Sequence, residues 1–126
     1  MTKLITIQTT NKLNSVIAVD EKGNGNAHHE YLIQYDQYPV GEPIETIPLV
    51  GITFQNGGRS YHTSTHGVTN EDLLEICRHR LQCFQTSEYK CRENMMALFH
   101  IEEALMWLNH RVTDRAARNV LGVNSK

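Results

Sequence analysis

Residues 69–120, TNEDLLEICRHRLQCFQTSEYKCRENMMALFHIEEALMWLNHRVTDRAARNV, decide how this chain folds. In their second half Cys91, Met95, Leu98, Ile101, Leu105, Leu108 and Val112 recur every three or four residues, the spacing of one helix face. Neither Pro nor Gly occurs between Thr86 and Leu121 to interrupt it. Leu73, Cys77, Leu81 and Phe84 repeat the pattern further upstream. Thr69 is a suitable N-cap, and Glu71 and Asp72 place carboxylates where the helix dipole favours them. The reading is a hairpin of two helices, about Asn70–Gln85 and Lys90–Arg118, joined across Thr86-Ser-Glu88. At ~1.5 Å per residue the second is much the longer, roughly 43 Å against roughly 24 Å. Leu105, Trp107, Leu108 and Val112 are then expected to overhang the first helix, and a second copy of the chain is the simplest cover.

Working outward, the N-terminal half is β-rich. Leu4–Ile7 and Ser15–Val19 are short β-favouring runs, and the Gly- and Asn-dense segment 20–26 is a turn. His29–Tyr35 is the return strand, with Tyr31, Ile33 and Tyr35 alternating. Pro39, Gly41 and Pro43 mark another loop, and Ile44–Gln55 holds one or two strands, with Pro48 confining the first to a sheet edge. Asn56–Gly67 is a polar loop feeding the hairpin. The fold class expected is α+β: a small N-terminal antiparallel β-sheet followed by a long C-terminal α-helical hairpin. The 126 residues fit a single domain, β-rich over 1–67 and helical over 68–126.

Composition bounds the function classes. With 40% hydrophobic and 21% charged residues the chain is a folded globular protein, and a formal net charge of −2 argues against bulk DNA binding. Cys77, Cys83 and Cys91 form no CxxC pair, and Cys77 and Cys91 lie on apolar stripes, so buried free thiols in a reducing cytoplasm are expected. No basic start leads into a long apolar run, and no stretch approaches the ~20 apolar residues of a membrane span.

Arg111, Arg115 and Arg118 are spaced by four and three, so they project from one side of the second helix. Three guanidiniums there suit phosphates, yet the same cations also complement a helix C-terminus, with Asp114 as a partner. At the hairpin turn, Phe84 offers either a face for base stacking or a core contact. Asn94, in the first turns of the second helix, offers an amide to a base edge or a ribose hydroxyl. Asn94 and Arg111 are 17 residues apart, roughly 25 Å along one helix, so a ligand of two nucleotide units meets both only if two antiparallel copies share a pocket. Arg59 follows Gly57-Gly58 in a loop, where a long cation reaches an anion or solvent. His62 and His66 lie in a loop without a Cys or carboxylate pattern, so no metal is expected. There is no nucleophile motif, Walker loop or dinucleotide fingerprint, and no acid–base pair stands out.

The segments GVTNEDLL (67–74), RLQCFQ (80–85), CREN (91–94), EEALMWL (102–108), Arg111 and DRAAR (114–118) resemble the phage anti-Thoeris sponges, the Thoeris anti-defence protein one family. The hairpin is also similar to that of anti-CBASS cyclic-oligonucleotide sponges, while GNGNAHHEY (23–31) and ITFQNG (52–57) resemble the anti-Thoeris family specifically. The resemblance implies a non-enzymatic protein, without cofactor, acting in the cytoplasm of an infected bacterium. It would sequester glycocyclic ADP-ribose, the signal of bacterial TIR-domain proteins, and cyclic trinucleotides of CBASS or type III CRISPR at separate sites. It implies hexamers built from dimers. Carried over by motif, Phe84 stacks on the adenine, Asn94, Arg111, Arg115 and Arg118 hold ribose and phosphates, and Arg59 contacts the trinucleotide or the pocket edge. The chain departs from the wider hairpin group at RNVLG (118–122), where Arg-Gly-Val-Glu-Gly is usual, and in the loop 59–66. Two other readings remain at this stage: a phosphodiesterase-like enzyme degrading such signals, and a phage structural protein that oligomerises through its hairpin.

Overall fold

The computed structural model describes residues 1–37 and 45–123. The loop expected around Pro39, Gly41 and Pro43, and the start of a strand at Ile44, lie outside the described residues. Four strands, β1 (Thr2–Lys3), β2 (Asn14–Ala18), β3 (Glu30–Gln37) and β4 (Glu45–Thr53), precede two helices, α1 (Asn70–Gln85) and α2 (Arg92–Ala117). The chain divides into two compact units, Met1–Asn56 with Thr65–Gly67, and Gly57–Ser64 with Val68–Lys126.

The first unit is an antiparallel sheet in the order β1-β2-β3-β4. β2 pairs with β3 from Asn14↔Tyr35 to Ala18↔Tyr31. Ala18 is buried at their far end, and the buried Ser15 hydroxyl is hydrogen-bonded to the Asp36 carboxylate. The turn between them is held by Asp20, whose Oδ2 accepts the His29 amide at 2.9 Å. Gly25 turns the chain at φ 72°, a conformation that costs other residues a Cβ clash. β4 lies at the edge, as Pro48 requires, since a proline has no N–H to give the ladder. The register jumps from Ile33↔Val50 to Gln34↔Pro48, so Leu49 is a bulge beside it. The expected strand at Leu4–Ile7 is displaced to Thr2–Lys3: after the Leu4 amide bonds Val16 the chain leaves the sheet, and Ile5 and Ile7 are fully exposed. Asn56 and Thr65 exchange both backbone hydrogen bonds, closing the base of the loop between them. A methyl group on Gly67 would sit 2.3 Å from the Thr53 carbonyl oxygen, so only glycine fits that crossing.

The second unit is built on the helical hairpin. Thr69 caps α1 in a reciprocal box, its hydroxyl accepting the Asp72 amide while Asp72 accepts the amide of Thr69. The turn is longer than the sequence indicated, running through Cys91, because the Gln85 side chain accepts from the Cys91 amide and donates to its carbonyl, bracing the crossing. Helix α2 therefore begins at Arg92 rather than Lys90, with Cys91 as its N-cap and Sγ accepting the Asn94 amide. Its other end is a Schellman closure: the Asn119 amide bonds Ala116, the Val120 amide bonds Arg115, and Asn119 turns the chain at φ 58°.

Two packing expectations are corrected. All three cysteines are exposed. Cys91 is spent on capping, and the inward face of α1 runs through Leu74, Arg78, Leu81 and Gln85, leaving Cys77 off it. Nor do Leu105, Leu108 and Val112 overhang α1. Arg78 Nε meets Glu102 at 2.9 Å, and Glu71 lines one groove with Leu105 and Val112, so α1 runs beside α2 that far. What α2 leaves uncovered is a face: Met95, Met96, Phe99, Met106 and Trp107 share its outer side, with Met106 70% and Trp107 68% exposed. Among the described residues no helix is long and apolar enough to cross a membrane.

Candidate functional site

Two clusters of candidate residues sit toward opposite ends of α2. At the turn, Phe84 is half-buried in the last turn of α1, so it has neither vanished into a core nor opened fully to solvent. Four residues earlier, one helical turn away, Arg80 lays its guanidinium over the Phe84 ring at 5.0 Å from the centroid. Sequence reasoning passed over Arg80, although its i,i+4 spacing to Phe84 was the available signal. Asn94 is half-buried one turn into α2, its backbone N–H taken by the Cys91 sulfur. The turn thus brings an aromatic face, a cation and an amide to one end of the hairpin.

At the other end the three arginines do not share one open face. Arg111 is exposed, and it makes no ion pair within the chain among the described residues. Arg118 is exposed but bonded through Nε to Asp114 Oδ2 at 3.1 Å, the pairing that the i,i+4 spacing allowed. Arg115 is only 8% exposed. Its Nη2 donates to the carbonyl oxygens of Val120 at 3.0 Å and Val123 at 2.8 Å, the backbone that follows α2. The helix ends before those carbonyls, and the Schellman closure turns them back toward it, so one buried guanidinium satisfies two of them. Arg59 is exposed in the loop Gly57–Ser64, which belongs to the same compact unit. The Ser60 amide donates to the Gly122 carbonyl at 3.1 Å, so the loop and the segment after α2 are joined.

Between the clusters a groove of about 650 Å³ is lined by Glu71, Glu75, Arg78, Glu102, Leu105, Met106, Asn109 and Val112. Hydrogen bonds that Arg78 donates to the Glu102 and Glu75 carboxylates raise its pKa, so the one cation on the groove's walls is already shared by carboxylates. Those carboxylates repel phosphates, and the groove is set apart from the arginine clusters by its charge. His62 and His66 are both exposed, and among the described residues no group of three or more His, Cys, Asp or Glu side chains is placed to hold a metal ion.

The family model for the Acb2/Tad1 hairpin domain matches residues 49–113, which carry the end of β4, all of α1, most of α2 and the turn cluster. The chain belongs to the Acb2/Tad1 hairpin family. A relative, Thoeris anti-defense 1 of Bacillus phage SBSphiJ7, is 49% identical over 78 residues, 62% of this chain. The match spans 54% of that relative, so the chain aligns with about half its length. Within the Acb2/Tad1 match lie Arg59, Phe84, Asn94 and Arg111, whereas Arg115 and Arg118 follow it.

Proposed function

We propose that this protein is a non-enzymatic phage anti-defence sponge that sequesters glycocyclic ADP-ribose, and binds cyclic trinucleotides at separate sites, in the cytoplasm of the infected bacterium. The similarity to Thoeris anti-defense 1 carries the reading. The geometry supports it in chemical terms. Phe84 with Arg80 forms a stacking platform backed by a cation, and Asn94 stands near the same turn with a donor and an acceptor. Arg111 presents an exposed guanidinium fork to a phosphate.

One chain does not join these parts around a single small ligand. Asn94 and Arg111 are separated by roughly 25 Å of helix, more than a ligand of two nucleotide units spans. Two antiparallel copies of α2 bring the turn cluster of one chain beside the arginines of the other. The outer face of α2, with Phe99, Met106 and Trp107 exposed, supplies apolar surface for such an assembly, consistent with hexamers built from dimers. Sequestration needs slow release without turnover, which stacking together with several charge-assisted hydrogen bonds provides.

The test is direct. Protein is mixed with glycocyclic ADP-ribose, freed of unbound ligand and heat-denatured, and the released material is chromatographed. Intact ligand at near-stoichiometric yield is the expected result. A converted product makes the protein an enzyme, and no retained ligand leaves only a hairpin that assembles with protein partners.

A further inference from the structure

We infer that Arg115 is a positioning residue: by clamping the segment after α2 it fixes the loop that carries Arg59, rather than holding a phosphate itself. The inference rests on the sponge reading for its ligand but not for its mechanics. Arg115 is nearly fully buried, and Nη2 is committed to the Val120 and Val123 carbonyls. Gly122 lies between those two anchors, and its carbonyl accepts the Ser60 amide at 3.1 Å. One residue before Arg59, Gly58 is pressed against the same segment: a methyl group there would fall 2.3 Å from the Gly122 oxygen and 2.8 Å from the Val123 Cα. Arg59 is therefore flanked on both sides by residues that touch the clamped backbone. The loop also closes on itself, with the Gly58 carbonyl accepting both the Tyr61 amide and the Ser64 hydroxyl, so it moves as one piece. A buried guanidinium satisfying two carbonyls is costly to remove, because both acceptors lose their partner at once. Freeing the segment frees the Arg59 backbone and raises the entropy that a ligand must remove on binding.

Two substitutions reach the clamp from opposite sides. Arg115→Ala removes the cation, and Gly58→Ala leaves it intact but forces the segment away. Ser60 amide exchange is read without ligand, beside binding of glycocyclic ADP-ribose and of a cyclic trinucleotide, with Arg59→Ala as reference. Both variants are expected to speed Ser60 exchange about tenfold or more, the scale of one lost charge-assisted hydrogen bond. Both should weaken whichever ligand Arg59→Ala weakens, and the double variant should be no weaker than the worse single one. Unchanged Ser60 exchange in Arg115→Ala overturns the inference. So does wild-type affinity in Gly58→Ala beside lost affinity in Arg115→Ala, which makes Arg115 a direct contact, and so does an Arg59→Ala variant that weakens neither ligand. Should the wild-type protein retain no ligand, the sponge reading falls, and Ser60 exchange alone then decides the clamp.

Discussion

Arg80 and Asp20 illustrate how single side chains are set by their immediate neighbours. The Arg80 guanidinium over Phe84 is worth roughly 0.5–1 kcal/mol at such an exposed site. In the proposed sponge it would also fix the ring's orientation before a base arrives. Arg80→Ala should therefore weaken glycocyclic ADP-ribose binding by roughly two- to fivefold in calorimetric titration, the size of that contact. Phe84→Ala should weaken it more, by roughly five- to 150-fold, since stacking on an aromatic face is worth roughly 1–3 kcal/mol per base. Equal effects of the two would contradict the ranking. Asp20 belongs to the sheet. Burial pushes its carboxyl upward, but hydrogen bonds from the His29, Glu30 and Asp20 amides, with the His28 charge, outweigh this and hold its pKa below the usual value. A depressed carboxylate pKa stabilises the fold above the unfolded-state pKa, and that contribution disappears as pH falls through the lower folded-state value. Asp20→Ala should consequently lower the melting temperature at pH 7, with the difference from wild type shrinking below about pH 4. A difference that stays constant down to pH 2 would rule out the linkage.

At the scale of elements, the ends of α2 are determined more sharply than its middle. Cys91 as a sulfur N-cap and Asn119 at the left-handed closing position replace the residues commonest in those roles. Asparagine tolerates φ 58° through its short polar side chain, whereas alanine there costs roughly 1 kcal/mol. Asn119→Ala is thus expected to lower the unfolding free energy by about that amount, and Asn119→Gly to leave it unchanged or raise it, in urea denaturation. The same closure turns the Val120 and Val123 carbonyls back onto Arg115. In the sheet, Pro48 and the Leu49 bulge make β4 an edge strand that is awkward to extend, which limits unwanted pairing along it.

At the scale of the whole molecule, the chain by itself is poorly buried. Among the described residues Ala18 is the only hydrophobic residue counted as buried, while Ile76, Phe99, Met106 and Trp107 are each more than half exposed. Folding of a single copy leaves this surface in water, and the self-association proposed above would remove it. Trp107→Ser should weaken self-association by tens-fold or more in sedimentation, since burying one large apolar side chain is worth roughly 1.5–3 kcal/mol. The proposal that binding sites are shared between chains makes a further prediction. Arg111→Ala and Phe84→Ala should each weaken ligand binding strongly while the oligomer persists, and mixed oligomers of the two variants should recover some tight sites. Verified mixed oligomers with no recovered binding would count heavily against a pocket drawn from two chains.

The amino-acid order alone determined the α+β class, the hairpin, the Thr69 cap and the edge position of Pro48, because each follows from local periodicity or from one residue's backbone chemistry. It also marked Phe84 and Asn94 as neighbours of the turn, since both lie within a few residues of it. Tertiary structure decided what helical spacing leaves open. A period of 3.6 residues says which side chains share a face but not which face meets a neighbour, so Met95 and Cys77 faced outward while Asn94 moved toward the inner face. The three arginines at 111, 115 and 118 were read as equals for the same reason. The backbone returning after the helix gives Arg115 two carbonyls, whereas Arg118 takes the Asp114 carboxylate one turn back on α2 and Arg111 faces solvent. The two carbonyls on Arg115 lie in a segment whose path depends on packing against a distant loop, and sequence spacing contains no term for that contact.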